Sequence, residues 1–231
     1  MSGSALNTRN RRILYGRRLG RPLRAHQREL MEQLLPRLSV PQAGAIDLEK
    51  LFPEKPSEVW LEVGAGAGEH AAWQAGNNPK IGIMACEPFV NGIAQLLGKI
   101  EREKLSNIRV HGGDAHDVIE RLPVNSLSRL FILFPDPWPK KRHWKRRFIS
   151  PENLSALARV MREGAELRLA TDSMDYCAWT LELIARDGGF AWAAGRPADW
   201  RERGPDWPET RYEAKAKKAG RACVYLRFRR L

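Results

Sequence analysis

The chain has 231 residues, 43% hydrophobic and 29% charged, a balance that supports a packed core and excludes wholesale disorder. Lys and Arg number 39 against 27 Asp and Glu, for a formal net charge of +12, and no stretch offers the roughly 20 uncharged apolar residues of a membrane-spanning helix. Three dispersed cysteines (Cys86, Cys177, Cys223) and five histidines show neither disulfide nor zinc spacing, so a reduced, cytoplasmic protein without a metal is expected.

The opening residues are Arg-rich and free of acids. They lack the apolar block of a secretory signal and resemble a transit peptide in composition. Residues 1–23 are expected to be a basic, mobile arm, and 24–231 a single domain. From Arg24 to Leu38, the spacing of Leu30, Leu34 and Leu38 predicts a helix. Pro41, Pro53 and Pro56 then lead to a strand, Glu58–Val63, which runs into Gly64-Ala65-Gly66-Ala67-Gly68. A short helix from Glu69 should stop before Asn77-Asn78-Pro79. The apolar run Ile81–Cys86 ends at Glu87-Pro88, and Ile93, Leu96, Leu97 and Ile100 have helical spacing up to about Leu105.

Ile108–His111 predicts a short strand ending at Gly112-Gly113-Asp114, and Leu130–Phe134 a buried one ending at Pro135-Asp136-Pro137-Trp138. Ser150-Pro151 is a helix start, with Gly164 expected to close that helix. Glu166–Ala170 reads as a strand, followed by Thr171-Asp172 and a helix through Ile184. Phe190–Ala194 and Ala222–Arg229 are expected to pair as a terminal antiparallel hairpin across a long basic connection. Short apolar strands alternating with helices argue for an α/β layered, Rossmann-like fold with a parallel sheet.

The positive charge is concentrated. Residues 1–28, 140–147 and 211–230 together hold 22 basic residues and one acid, leaving 17 bases against 26 acids elsewhere. A basic face on an acidic body suits a polyanion, most often nucleic acid.

In such sheets, ligands bind at the carboxyl ends of the strands. Here those ends carry Glu62 with the glycines, then Glu87, Asp114, Asp136 and Asp172. Gly64, Gly66 and Gly68 form GxGxG, not the GxGxxG of dinucleotide enzymes, so a dehydrogenase is disfavoured. The absence of a Lys-Ser/Thr ending disfavours a phosphate-cradling P-loop. Glu87, 19 residues after Gly68, is placed to accept ribose hydroxyls, and Asp114 to accept an adenine amine. An acidic pocket fits a cationic, phosphate-free nucleoside, and S-adenosylmethionine meets that description.

The fourth strand end is the most specific element. It reads Phe134-Pro135-Asp136-Pro137-Trp138-Pro139-Lys140-Lys141-Arg142-His143-Trp144-Lys145-Arg146-Arg147. Prolines on both sides of Asp136 hold its carboxylate in one orientation, and aromatics among cations can stack a base and neutralise phosphates.

These residues resemble the bacterial tRNA (guanine-N7)-methyltransferases, the TrmB-like enzymes that act on guanosine 46 of tRNA. The resemblance runs from about Tyr15 to the C-terminus through Glu62-Val63-Gly64, Glu87, Asp114, the Pro-Asp-Pro-Trp loop, Thr171-Asp172 and Thr210-Arg211-Tyr212-Glu213. It implies a class I S-adenosylmethionine-dependent fold with a mostly parallel seven-stranded sheet. It also implies cofactor contacts from Glu62, Glu87, Asp114 and Asp136, with Asp136 catalytic. Substrate contacts are implied for Lys140, Asp172, Thr210, Arg211, Tyr212 and Glu213. RNA contacts are implied for Arg142, His143, Trp144, Lys145, Arg146 and Arg147. Tyr15-Gly16-Arg17-Arg18 fits the family's arginine-rich arm. Two residues depart from the pattern: Pro139 stands where relatives commonly have His, and Trp144 replaces a smaller polar residue.

Two rival readings remain from sequence. Amine-directed methyltransferases carry Asp/Asn-Pro-Pro-aromatic at this strand end, whereas this chain has Asp-Pro-Trp after one proline. A non-catalytic RNA-binding module with the same fold would not need an acid at every cofactor position. No obligate protein partner is evident from sequence.

Overall fold

The computed structural model describes residues 15–231. Its centre is one seven-stranded sheet in the order β3-β2-β1-β4-β5-β7-β6. The strands are β1 (Glu58–Val63), β2 (Ile81–Cys86), β3 (Ile108–His111), β4 (Leu127–Leu133), β5 (Met161–Thr171), β6 (Phe190–Trp192) and β7 (Val224–Arg230). The first five are parallel neighbours, and β7 runs antiparallel to both β5 and β6. The terminal hairpin therefore forms as expected, with β7 inserted between β5 and β6.

The period-2 alternation of strand residues builds two cores, one on each face. On one face, Leu61, Met84, Leu130, Ile132, Leu167, Leu169, Leu226 and Phe228 are buried together. They pack under α6 (Ala115–Ile119), α7 (Pro151–Val160) and α8 (Met174–Asp187). On the other face, Trp60, Ile83, Ala85, Phe131 and Tyr225 pack against α4 (Glu69–Asn77) and α5 (Val90–Glu103). Helix α5 buries Ile93, Leu96, Leu97 and Ile100, the face its sequence spacing marks out.

The predicted helix over 24–38 forms with one irregularity. It comprises α1 (Ala25–Glu29), a π-helical turn (Leu30–Leu34) and α2 (Leu35–Leu38). Pro36 follows the widened turn. It has no N–H to donate, and its ring crowds the carbonyl four residues back, so a regular α-turn is disfavoured there. Residues 15–23 of the expected arm lie against α5: Val90 N donates to Arg18 O at 3.0 Å, and Gly20 N to Asn91 Oδ1 at 2.8 Å. The rest of the arm, residues 1–14, lies outside the described residues.

Gly164 does not close α7. The helix ends at Val160, and Met161 already pairs with Leu127 as the start of β5. Gly164, with φ of 76°, sits in the bulge between the Leu127–Met161 and Arg129–Glu166 pairs. A left-handed glycine serves an extra-residue bulge as well as a helix end, and sequence does not separate the two.

The remaining elements are short: α3 (Leu48–Leu51), a 3-10 turn (Lys141–Arg146), α9 (Ala198–Arg201) and α10 (Arg211–Lys218). No helix of the described residues is long and apolar enough to cross a membrane.

Candidate active site

A cavity of about 1190 Å³ opens at the carboxyl ends of β1 to β4. Its wall includes Gly64, Gly66, Glu87, Asp114, Asp136 and Tyr212, with Tyr15 to Arg17 over one side. The loop after β1 makes the cradle. Gly66 has φ of 58° and Gly68 φ of 73°, and a Cβ on Gly68 would stand 2.4 Å from Leu96 Cδ1. Any larger residue there would push the loop off α5.

Glu87 reaches into this loop. Its Oε2 accepts from Gly66 N at 2.6 Å, and its Oε1 from Phe89 N at 2.8 Å. Burial raises its carboxyl above the ordinary range, against the opposing pull of those two amides. Each oxygen keeps a further lone pair, so ribose hydroxyls fit without breaking either bond. Asp114 caps α6, its Oδ1 accepting from His116 N at 3.0 Å.

Glu62 and Gly68 are not on the cavity wall. Glu62 is buried behind the glycine loop, where His70 Nδ1 donates to its Oε2 at 2.8 Å. Gln74 continues the contact to His70 and to Asp206 O. Glu62 thus anchors α4 under the cradle.

Asp136 is exposed to the cavity on a strained loop. Phe134 (φ 51°) and Trp138 (φ 44°) flank it in the left-handed region, which bulky side chains rarely adopt. Strain on both sides of a Pro-Asp-Pro unit is what a carboxylate held in a set direction requires.

The substrate-side residues divide. Tyr212 is half exposed and lines the cavity. Arg211 lies 3.7 Å from Glu69. Thr210 caps α10, its Oγ1 accepting from Glu213 N at 3.2 Å. Glu213 is only 1% exposed, and its Oε1 receives Tyr225 OH, Lys217 Nζ and Arg203 Nε. It therefore lies off the cavity wall, locking α10 to β7. Asp172 also lies off the wall, accepting from Arg221 Nε at 2.7 Å. Lys140 is exposed beside Asp136's loop.

A family described as "Putative methyltransferase" matches residues 56–226 of this sequence. A tRNA (guanine-N(7)-)-methyltransferase of Ruegeria pomeroyi is 49% identical over 231 residues, covering 96% of each chain. One from Rhodospirillum rubrum is 47% identical over 94% of this chain and 87% of its own. The chain belongs to the tRNA (guanine-N(7)-)-methyltransferase family. Among solved structures, the 16S rRNA methyltransferase KamB superposes with a TM-score of 0.59 at 19% identity, covering 82% of this chain and 96% of that one. At that identity the likeness speaks for the fold, a class I methyltransferase sheet.

The basic stretch of this family member is not uniformly a phosphate-binding surface. Arg142 and Lys145 are exposed as expected, and His143 is partly covered, with Trp138 5.7 Å away. Arg147 is the correction. Its side chain is fully buried, with Trp144, Tyr176 and Trp179 around the guanidinium, and it donates to Asp175 and to Pro137 O. Trp144 packs 5.3 Å from Trp179 as part of the same cluster. Both also lie on the cavity wall, and this packing holds the loop against α8. Arg146 lies between, its guanidinium over Tyr15 and Trp138.

Several wall residues were not singled out from sequence: Phe89, His116, Phe148, Asn153 and Trp179. His116 offered one signal, its place two residues after a helix-capping aspartate. Asn153 offered none, because its partner is 37 residues away.

Proposed function

We propose that this protein transfers the methyl group of S-adenosylmethionine to N7 of a tRNA guanosine, at position 46 in the variable loop. The observation that carries the reading is Asp136: a family member's Pro-Asp-Pro-Trp carboxylate, exposed at the mouth of a cavity whose inner wall holds Glu87 and Asp114.

The residues present fit the cofactor. Three acids at successive strand ends suit a cationic nucleoside without phosphates, and the glycine cradle leaves room for its backbone approach. Glu87 would hold the ribose and Asp114 the adenine amine, with Gly64 and Gly66 against the amino-acid end. When bound, S-adenosylmethionine supplies a methyl group on a sulfonium.

Guanine N7 presents an in-plane lone pair, so no general base has to expose it. Its attack places positive charge on the purine, and Asp136 would stabilise that charge as it develops. Holding the two reactants in line supplies much of the remaining acceleration. Arg142, Lys145 and Lys140 would meet phosphates, and Tyr212 would lie beside the base. Asp172 and Glu213 would read guanine N–H groups only after moving toward the cavity, because neither lies on its wall here.

Nucleoside mass spectrometry of tRNA incubated with protein and S-adenosylmethionine should show 7-methylguanosine. A tRNA carrying 7-deazaguanosine at the target keeps its exocyclic amine but has no ring nitrogen to attack. Binding should survive and methyl incorporation vanish. Continued incorporation at the substituted residue would require abandoning N7 as the acceptor.

A further inference from the structure

His116 joins the two halves of the cavity by hydrogen bonds on both ring nitrogens. Its Nδ1 lies 2.6 Å from Asp114 Oδ1, and its Nε2 lies 2.7 Å from Asn153 Oδ1. The Asn153 amide is oriented by its other end, because Nδ2 donates to Phe148 O. Its Oδ1 is therefore the acceptor, and His116 Nε2 must carry the proton. On the other side Nδ1 faces a carboxylate oxygen that also accepts from His116 N at 3.0 Å. The ring is thus a donor to both neighbours, packed 4.9 Å from the Phe148 ring with a side chain only 15% exposed.

The consequence is directional. Two donors from one residue converge on Asp114 Oδ1 and fix the plane of the carboxylate. The chain Phe148 carbonyl, Asn153, His116, Asp114 runs from the end of the basic loop to the carboxylate at the end of β3. We infer that His116 is a positioning residue for the cofactor: it holds Asp114 at the angle that selects a 6-amino purine over a 6-oxo purine. This rests on the reading of Asp114 as the adenine acceptor. An amine donates to a carboxylate, whereas a 6-oxo group sets oxygen against oxygen. A site built around such a contact discriminates strongly only while its acceptor is held in place.

The test compares S-adenosylhomocysteine with S-inosylhomocysteine by calorimetric titration of the full chain. The wild type should prefer the adenosine compound by on the order of 100-fold. His116→Phe keeps the ring against Phe148 and the backbone N–H on Asp114 but removes both ring donors, and its preference should fall about tenfold. His116→Asn places an amide N–H where Nδ1 stands and should keep most of the preference. His116→Gln places one where Nε2 stands and should lose it as Phe does. The split between Asn and Gln decides the matter even if the Phe variant folds poorly, because a packing role alone would not distinguish them. Full preference in His116→Phe, or equal losses in Asn and Gln, would overturn the role of His116. A wild type without preference would instead overturn the adenine reading of Asp114 and the proposal with it.

Discussion

The guanidinium carbon of Arg146 stands 4.2 Å from the centre of the Tyr15 ring. It also stands 4.8 Å from the Trp138 ring, and the two rings are themselves 6.0 Å apart at 70°. A residue of the basic loop thereby pins the start of the described chain over the cavity mouth. A Cβ on Gly16 would lie 3.9 Å from Asp136 Oδ2, so the pinned segment passes beside the Asp136 carboxylate. A partly desolvated cation–π contact contributes about 0.5–2 kcal/mol, or roughly 2–30-fold in an opening equilibrium. Tyr15→Ala should raise the rate of tryptic cleavage after Arg17 or Arg18 within that range, measured at low protease where cleavage follows the open population. An unchanged rate would mean that Gly20 and Arg21, through Asn91, hold the segment by themselves.

Asp136→Asn should lower turnover by about 10²-fold or more, the loss typical of a removed electrostatic stabiliser. The side chain is exposed, so the melting temperature should barely move, and tRNA affinity should stay within about threefold. Single-turnover rates at saturating tRNA and cofactor measure this directly. Activity within about twofold of wild type would remove the catalytic role.

Arg142, Lys145 and Arg147 should part company under alanine substitution. Arg142→Ala and Lys145→Ala should each reduce the log-affinity against log-salt slope for tRNA by up to about one. Arg147→Ala should chiefly destabilise, by about 2–4 kcal/mol, because it empties a cluster of three aromatic rings. Urea unfolding of the three variants, alongside salt titrations, separates the two effects.

Stability should also depend on pH through His111. The residue is 2% exposed, neither ring nitrogen has a well-aligned hydrogen-bond partner among the described residues, and burial lowers its pKa below the ordinary value; Asp117 and Asp114, the latter also through its backbone, oppose the shift and Arg121 adds to it. In the unfolded chain a histidine takes up its proton near pH 6.5. Above that pH both states are neutral here and the contribution is complete. As pH falls through the depressed native value the unfolded state binds the proton first, and the contribution is lost. His111→Leu should therefore flatten the pH dependence of unfolding free energy below about pH 6.5. Parallel curves for the two proteins would show that His111 does not titrate in this window.

Sequence alone determined which segments are strands and roughly where they end, but not where β4 and β5 begin: Leu130 and Glu166 are the expected starts, Leu127 and Met161 the observed ones. Short apolar-rich runs mark β1 and β2 at their observed limits, and glycine or proline punctuation places Glu87, Asp114 and Asp136 at strand termini, hence around one cavity. Those features are local, set by steric limits on backbone angles and by burial of alternate side chains. Which charged side chains stay exposed and which are held by partners was decided only by the tertiary structure. Arg147 is one of six basic residues in eight, and nothing in that run marks it as buried. Its burial depends on Tyr176 and Trp179, contributed by α8 some 30 residues later. Glu62 and Glu213 carry the same carboxylate as Glu87, yet His70 in one case and Arg203, Lys217 and Tyr225 in the other take them out of the cavity. His116 gained its place from Asn153, on a different helix. A charged group's role follows from its partners, and when those partners arrive by packing across the sheet, no spacing in the chain announces them.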